Sequence, residues 1–192
     1  MMADAFVYGT LMHPKILQYA MGNDGSHLRI CPAILKDFTR HEIIGEDYPA
    51  IVPYSLSQSM FLRDLEPEER FVRGCLISGL TDEDIRLLDV YEGDEYTREM
   101  VSAYPLGPLI SLNDDAAMDV ASPIISPSVT IERPVEANAY IWGRPLSALR
   151  PELWTFEEFV RHKASEYIRA MANVGYGEVD KHIAADGRVT VH

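Results

Sequence analysis

The chain has 192 residues, of which 47% are hydrophobic and 24% charged, as is usual for globular proteins. Its 30 acidic and 17 basic residues give a formal net charge of −13. That charge argues against a nucleic-acid partner and against docking on an anionic membrane, because both interactions need a basic face. Domains usually span roughly 100–200 residues, so we expect a single domain over residues 1–192.

Several classes of site and location are disfavoured by what the sequence lacks. Two cysteines are too few for a disulfide framework or a cysteine-based zinc site, and they favour a reducing, cytoplasmic compartment. The six histidines include no pair four residues apart, so we expect no metal and no cofactor. We also expect no signal peptide and no membrane span. His13 follows the first predicted loop, although a lone histidine is usually a surface or cap residue.

The first predicted element is a buried strand. Residues 5–8 are apolar and rich in strand formers, and Gly9 ends them in a tight loop. Pro14 suits the first turn of a helix that should end at Gly22. Further strand-like segments follow at residues 28–40, 41–53 and 71–80.

The next helix carries stronger signals. Thr81 and Asp84 have the spacing of a capping box, in which each side chain accepts a hydrogen bond from the other residue's amide. Gly93 is a typical C-terminal stop. Residues 96–103 then return as a strand.

Residues 104–134 change in character and predict a long insertion or lid. Five prolines among serines and aspartates suit a segment that buries little apolar area, with edge strands possible only at residues 109–112 and 129–131. Residues 135–142 predict a strand. We expect the insertion to be a flap near a site rather than a core element.

The C-terminal part, residues 155–192, predicts one helix followed by a tail. The helix should run from Thr155 to about Ala172 and carry an apolar stripe that includes Phe159. Because strands and helices do not alternate regularly, an α+β fold with a mixed sheet, open or closed into a small barrel, is favoured over a doubly wound sheet.

The segment Tyr8-Gly9-Thr10-Leu11 is the first candidate for binding. A glycine at the end of a buried strand lets backbone amides approach a ligand, and Thr10 adds a hydroxyl. Taken alone, a strand followed by a glycine turn is commonplace, and the segment more often marks an ordinary turn.

Glu92, at the last turn of the second helix, is the candidate catalytic group. A carboxylate there faces the negative end of the helix dipole, and Asp89, Asp94 and Glu95 add like charge. Apolar Leu88 and Tyr91 are also near neighbours. Together these residues predict a raised pKa for Glu92, which suits a general base. The alternative is a solvated acid beside a surface loop.

Four motifs, taken in order, resemble the γ-glutamylcyclotransferase-like family, and most closely its AIG2-like and γ-glutamylamine cyclotransferase branches. The motifs are Tyr8-Gly9-Thr10-Leu11, residues 48–53 (YPAIVP), residues 72–76 (VRGCL) and residues 88–98 (LDVYEGDEYTR). The start of the last helix, WTFEE at residues 154–158, is also similar to AIG2-like proteins.

The resemblance implies a fold and a reaction. The fold is a small mixed β-barrel of about six strands with two to three helices packed outside. The reaction is attack of a γ-glutamyl α-amine on its own γ-carbonyl, which releases 5-oxoproline and a free amine without metal or cofactor. By motif, Tyr8, Gly9, Thr10 and Leu11 form the substrate loop, Glu92 moves the proton, and Tyr96 lines the site.

The insertion and the tail depart from the family pattern, so two other functions stay open. One is an enzyme that uses the same glutamate on a different small molecule in a biosynthetic pathway. The other is a non-catalytic binding module on the same barrel, because function resides in the site rather than the fold. In each case we expect a small-molecule ligand and a monomer or weak homodimer.

Overall fold

A computed structural model describes residues 2–120 and 133–174. The elements in this part of the chain are β1 (Ala3–Val7), α1 (Pro14–Met21), β2 (Arg29–Lys36), β3 (Phe38–Ile43), β4 (Pro49–Pro53), α2 (Tyr54–Ser57), β5 (Phe71–Leu80), α3 (Asp82–Glu92), β6 (Tyr96–Pro105), β7 (Ile110–Ser111), α4 (Ala117–Val120), β8 (Val135–Trp142), β9 (Leu149–Leu153), α5 (Phe156–His162) and α6 (Ala164–Val174). Among these residues, no helix combines the length and apolarity needed to span a membrane.

Five strands close into a mixed barrel in the order β5-β1-β8-β6-β2, and β2 pairs back to β5. β1 runs parallel to β8, whereas the other neighbouring strands of the barrel are antiparallel. β7 extends the sheet as a sixth strand on β2. The predicted α+β fold with a small mixed barrel is therefore confirmed.

The barrel closes tightly where β5 passes β1. A Cβ atom on Gly74 would lie 2.3 Å from the carbonyl oxygen of Val7 and 2.7 Å from the ring of Phe6. Only glycine fits at this crossing. The same interior holds small residues from β6 and β8, namely Ala103, Ala137 and Ala139, each fully buried. Small side chains here leave room for the Phe6 ring inside the barrel.

A second sheet, in the order β4-β3-β9, packs beside the barrel. Buried polar side chains of β3 form a chain of hydrogen bonds inside this part of the protein. His41 Nδ1 lies 2.8 Å from the Arg150 carbonyl, its Nε2 lies 2.8 Å from the Thr39 hydroxyl, and that hydroxyl lies 2.6 Å from Ser57. Burial lowers the pKa of His41, so the ring stays neutral and joins β3 to β9.

Helices α1, α3, α5 and α6 pack on the outside around a shared apolar cluster that includes Leu17, Leu88 and Phe159. The predicted capping box of α3 is confirmed. The Thr81 hydroxyl accepts from the Asp84 amide at 3.1 Å, and Asp84 accepts from the Thr81 amide at 2.8 Å.

The prediction that the insertion is a flap outside the core is wrong for residues 105–120. β6 continues to Pro105, β7 pairs with β2, and both Leu112 and Ala117 are 1% exposed. Residues 105–120 are therefore part of the fold, because Leu112 and Ala117 pack into the core. The proline, serine and aspartate content of the segment does not predict that packing. Residues 121–132, with the suggested edge strand at 129–131, lie outside the described part of the chain.

The C-terminal region also differs from its prediction. The single helix expected over residues 155–172 is two helices, because Lys163 leaves the helical conformation at φ −126°. The strand β9 was not predicted. The tail at residues 176–192 lies outside the described residues.

Candidate active site

One cavity, of about 80 Å³, opens where β1, α3, β6 and α6 meet. It is lined by Phe6, Val7, Tyr8, Gly9, Thr10, Leu11, Glu46, Tyr48, Pro49, Tyr91, Glu92, Glu95, Tyr96, Tyr140 and Tyr167. The structure thus brings all six predicted site residues, Tyr8, Gly9, Thr10, Leu11, Glu92 and Tyr96, to one place. Their roles remain predictions.

The loop after β1 lies beside the cavity and packs closely on β4. Residues Thr10–Met12 form a 3₁₀ turn in which the Met12 amide donates to the Gly9 carbonyl at 3.0 Å. A Cβ on Gly9 would lie 3.0 Å from the ring of Pro49, so a glycine lets the loop approach β4. Gly9, Thr10 and Leu11 all line the cavity.

A partly buried arginine fixes the start of that loop. Arg40 Nη1 donates to the Tyr8 carbonyl at 2.6 Å and to the Arg73 carbonyl at 3.0 Å. Its Nε donates to the Trp154 carbonyl at 3.2 Å, and its guanidinium lies 4.9 Å from the Trp154 ring centroid. Burial lowers the pKa of Arg40 to about 10, which still leaves it charged at neutral pH. Arg40 therefore ties the loop to β5 and to the segment before α5.

Glu92 is the last residue of α3 and is partly buried in the cavity wall. Among the described residues, no group donates a hydrogen bond to its carboxylate. Burial without such a partner raises the pKa of Glu92 to about 8. At neutral pH the group is mostly protonated, and it can both give and take a proton.

The predicted rise in the pKa of Glu92 is present, but only one of the causes inferred from sequence accounts for it. Apolar neighbours and like charge from Asp89 were both expected to contribute. Instead, Asp89 accepts hydrogen bonds from Arg98 at 2.8 Å and from the Tyr140 hydroxyl at 2.9 Å. Asp89 is therefore neutralised by its own partners, and desolvation is the cause that remains.

Tyrosines surround Glu92. Burial, with a further contribution from the charge of Glu92, raises the pKa of five of them: Tyr8, Tyr91, Tyr96, Tyr140 and Tyr167. Their hydroxyls thus stay neutral donors. Tyr96 donates to the Pro49 carbonyl at 2.9 Å, and Tyr8 donates to the carbonyl of Tyr140. These bonds fix the rings as walls of the cavity.

Four of the lining tyrosines, Tyr48, Tyr91, Tyr140 and Tyr167, were not predicted as site residues from sequence. Tyr91 and Tyr167 lie on the apolar faces of α3 and α6, Tyr140 lies in β8, and Tyr48 lies just before β4. A tyrosine on such a face carries a hydroxyl that needs a partner, which is the one signal that could have singled them out. His13, by contrast, caps α1, where its Nδ1 accepts from the Lys15 amide at 3.2 Å.

The donor set of the cavity suits a small organic ligand. It offers backbone amides, phenol hydroxyls and carboxylates, and its lining includes no lysine, arginine or histidine. Within residues 2–120 and 133–174, no three His, Cys, Asp or Glu side chains gather as metal ligands would.

A model of the family described as γ-glutamyl cyclotransferase, AIG2-like, matches residues 5–156, which include Glu92 and the loop after β1. The chain belongs to this family.

Relatives of the chain agree with this membership. AIG2-like protein C of Arabidopsis thaliana is 25% identical over 170 residues, which cover 87% of this chain and 74% of the relative. AIG2-like protein D of the same plant is 25% identical over 158 residues, or 82% and 79% of the two chains.

A solution structure of another Arabidopsis thaliana protein superimposes with a TM-score of 0.53 at 18% identity, over 100% of this chain and 96% of that one. At that identity the likeness shows the fold alone.

Proposed function

We propose that the protein is a cyclotransferase that converts a γ-glutamyl amine, or a related γ-glutamyl compound, to 5-oxoproline and the free amine. One observation carries this proposal. Glu92, whose burial raises its pKa to about 8, lies without a hydrogen-bond partner among the described residues, in the same cavity as the loop after β1. A carboxyl in this state is suited to receive a proton and return it.

The loop supplies the second requirement, a place for negative charge. Gly9, Thr10 and Leu11 line the cavity, and backbone N–H groups of such a loop can bind a carboxylate or a developing oxyanion. The Thr10 side chain is 5% exposed and contributes a hydroxyl beside them. Arg40, which holds the Tyr8 carbonyl, keeps this loop in place.

The proposed reaction is intramolecular. The nitrogen of the α-amine attacks the γ-carbonyl carbon, a C–N bond forms, and a five-membered ring closes. Ionised Glu92 takes one proton from the attacking nitrogen. It gives a proton to the leaving nitrogen as the γ-amide C–N bond breaks, so the carboxylate is regenerated. Because both reacting groups belong to one molecule, much of the entropy cost is already met.

The test is release of 5-oxoproline from a panel of γ-glutamyl amines by wild type and by Glu92→Gln. Loss of general acid–base catalysis should lower turnover about 10²–10⁴-fold. Glu95→Gln is the matched control, because Glu95 lines the same cavity but accepts a hydrogen bond from Tyr48 at 3.3 Å. Its turnover should stay within a few-fold of wild type.

The outcomes separate the alternatives. Near wild-type turnover in Glu92→Gln contradicts the assigned role of the carboxyl. If the wild type binds γ-glutamyl amines but releases no 5-oxoproline, the barrel is a binding module. If it neither binds nor turns over any of them, an enzyme acting on another small molecule becomes the better hypothesis.

A further inference from the structure

The helix α6 supplies a wall of the cavity from outside the residues that match the family model. The match ends at residue 156, whereas α6 begins at Ala164. Tyr167, in the first turn of α6, borders the same cavity as Glu92. The site of this chain therefore includes a side chain that the family match does not contain.

Tyr167 is held at both ends. Its hydroxyl lies 3.0 Å from that of Tyr91, which gives the phenol a hydrogen-bond partner. Its ring meets Phe159 edge-on with centroids 5.9 Å apart, and Phe159 is only 3% exposed. Because its hydroxyl is hydrogen-bonded and its ring packs on a buried aromatic residue, the Tyr167 side chain has a defined position in the cavity wall.

The start of α6 also lies beside the loop between β3 and β4. Lys163, the residue before α6, has its Nζ 3.4 Å from an oxygen of Asp47. Both side chains are exposed, so the pair adds little stability. It does locate the helix between α3 and the loop that carries Glu46 and Tyr48 to the cavity.

We propose that Tyr167 is a specificity-determining residue of this site, whose ring keeps water from Glu92 and limits the size of the group that fits beside it. The proposal rests on the proposed function and refines it. Removal of the ring would admit water to the carboxyl, and hydration favours the ionised form. It would also enlarge the cavity on the side of α6.

Three variants separate the roles of the ring, its hydroxyl and the helix. Tyr167→Ala removes the wall, and Tyr167→Leu restores part of its bulk should the alanine protein fail to fold. Tyr167→Phe keeps the ring and loses the hydroxyl. The matched control is Ile168→Ala, because Ile168 packs on the same core from α6 without lining the cavity.

The first measurement needs no substrate. In protein labelled with carbon-13 at the glutamate carboxyls, the Glu92 signal is assigned by its absence in Glu92→Gln and is titrated by NMR. The titration midpoint of Glu92 should fall by about one pH unit or more in Tyr167→Ala, or in Tyr167→Leu if the alanine protein does not fold. It should stay close to wild type in Tyr167→Phe and Ile168→Ala. An unmoved midpoint in the folded ring variants, or an equal fall in Ile168→Ala, would overturn the proposal.

The second measurement is the size selectivity of turnover. We expect Tyr167→Ala to raise the ratio of kcat/KM for γ-glutamyl benzylamide over γ-glutamyl methylamide by about tenfold, because a few contacts in a pocket produce that much discrimination. An unchanged ratio contradicts the size limit. If the wild type turns over neither amide, the proposed function fails, while the NMR titration still decides whether Tyr167 shields Glu92.

Discussion

Glu92 should lower the stability of the protein as the pH rises, and Glu92→Gln should remove that loss. Burial raises the pKa of this carboxyl from its ordinary value of 4.5 to about 8. Between these pH values the folded protein holds a proton that the unfolded chain releases, so the free energy of unfolding of the wild type falls as pH rises. Above pH 8 the loss is complete, and below pH 4.5 it is absent.

The size of the effect follows from the same two values. At 1.36 kcal/mol per pH unit, the difference corresponds to at most about 5 kcal/mol, and because Glu92 is only partly buried we expect roughly 2–4 kcal/mol. Glutamine cannot ionise, so its own cost of burial is the same at every pH. The gain in stability of Glu92→Gln over wild type should therefore grow from pH 4 to pH 9.

Urea unfolding at several pH values, followed by tryptophan fluorescence, measures this gain. Every other titrating group is common to both proteins, so its contribution cancels in the difference. The control is Glu99→Gln, which alters an exposed glutamate on β6. A difference between Glu92→Gln and wild type that is the same at pH 5 and pH 9 would refute the reasoning, because it would mean that Glu92 is not desolvated by the fold.

Three further predictions test other parts of the structure. Gly74→Ala should destabilise the barrel by about 3 kcal/mol or more, seen as a lower Tm, because its Cβ would meet the Val7 carbonyl oxygen at 2.3 Å. Phe159→Ala should cost about 3–5 kcal/mol in chemical unfolding, and an unchanged midpoint would mean that the residue is not in the core. Burial opposes ionisation of Asp84, but hydrogen bonds from Thr81, His27 and Asn23 outweigh it and lower its pKa. The stability that Asp84 gives is thus present above about pH 4 and is lost as pH falls through the lowered pKa. Asp84→Asn should therefore lower the free energy of unfolding by about 1–3 kcal/mol at pH 7. Unfolding curves should show this loss shrinking towards pH 2.

Features that depend on neighbouring residues were predictable from sequence. The capping box of α3 needs only Thr81 and Asp84, three residues apart, and the end of α3 needs only Gly93. Glu92 follows from the same helix, because its place in the last turn is set by where α3 stops. The ordered motifs then indicated the barrel, which neither composition nor periodicity specifies alone.

Features that depend on distant contacts were not predictable in this way. β9 has one buried residue, Leu149, followed by four exposed ones, so its sequence lacks a strand pattern. It is a strand because it pairs with β3. Likewise, the pairing of Asp89 with Arg98 and Tyr140 spans 9 and 51 residues, and it removed the like charge expected next to Glu92.

Tyrosines, rather than charged groups, surround Glu92, and this leaves its carboxyl without a hydrogen-bond partner in the part of the chain that the structure describes. A lysine or arginine in contact would favour the ionised carboxylate and lower its pKa, while an aliphatic wall would leave no donor for a polar ligand. Phenols such as Tyr96 and Tyr140 exclude water with their rings, yet their hydroxyls bond mainly to other groups, the Pro49 carbonyl and Asp89. The carboxyl is thus left without a hydrogen-bond partner among the described residues, and the stability lost above pH 4.5 follows from the burial that raises its pKa to about 8. The proton transfer that we propose for Glu92 would use this state.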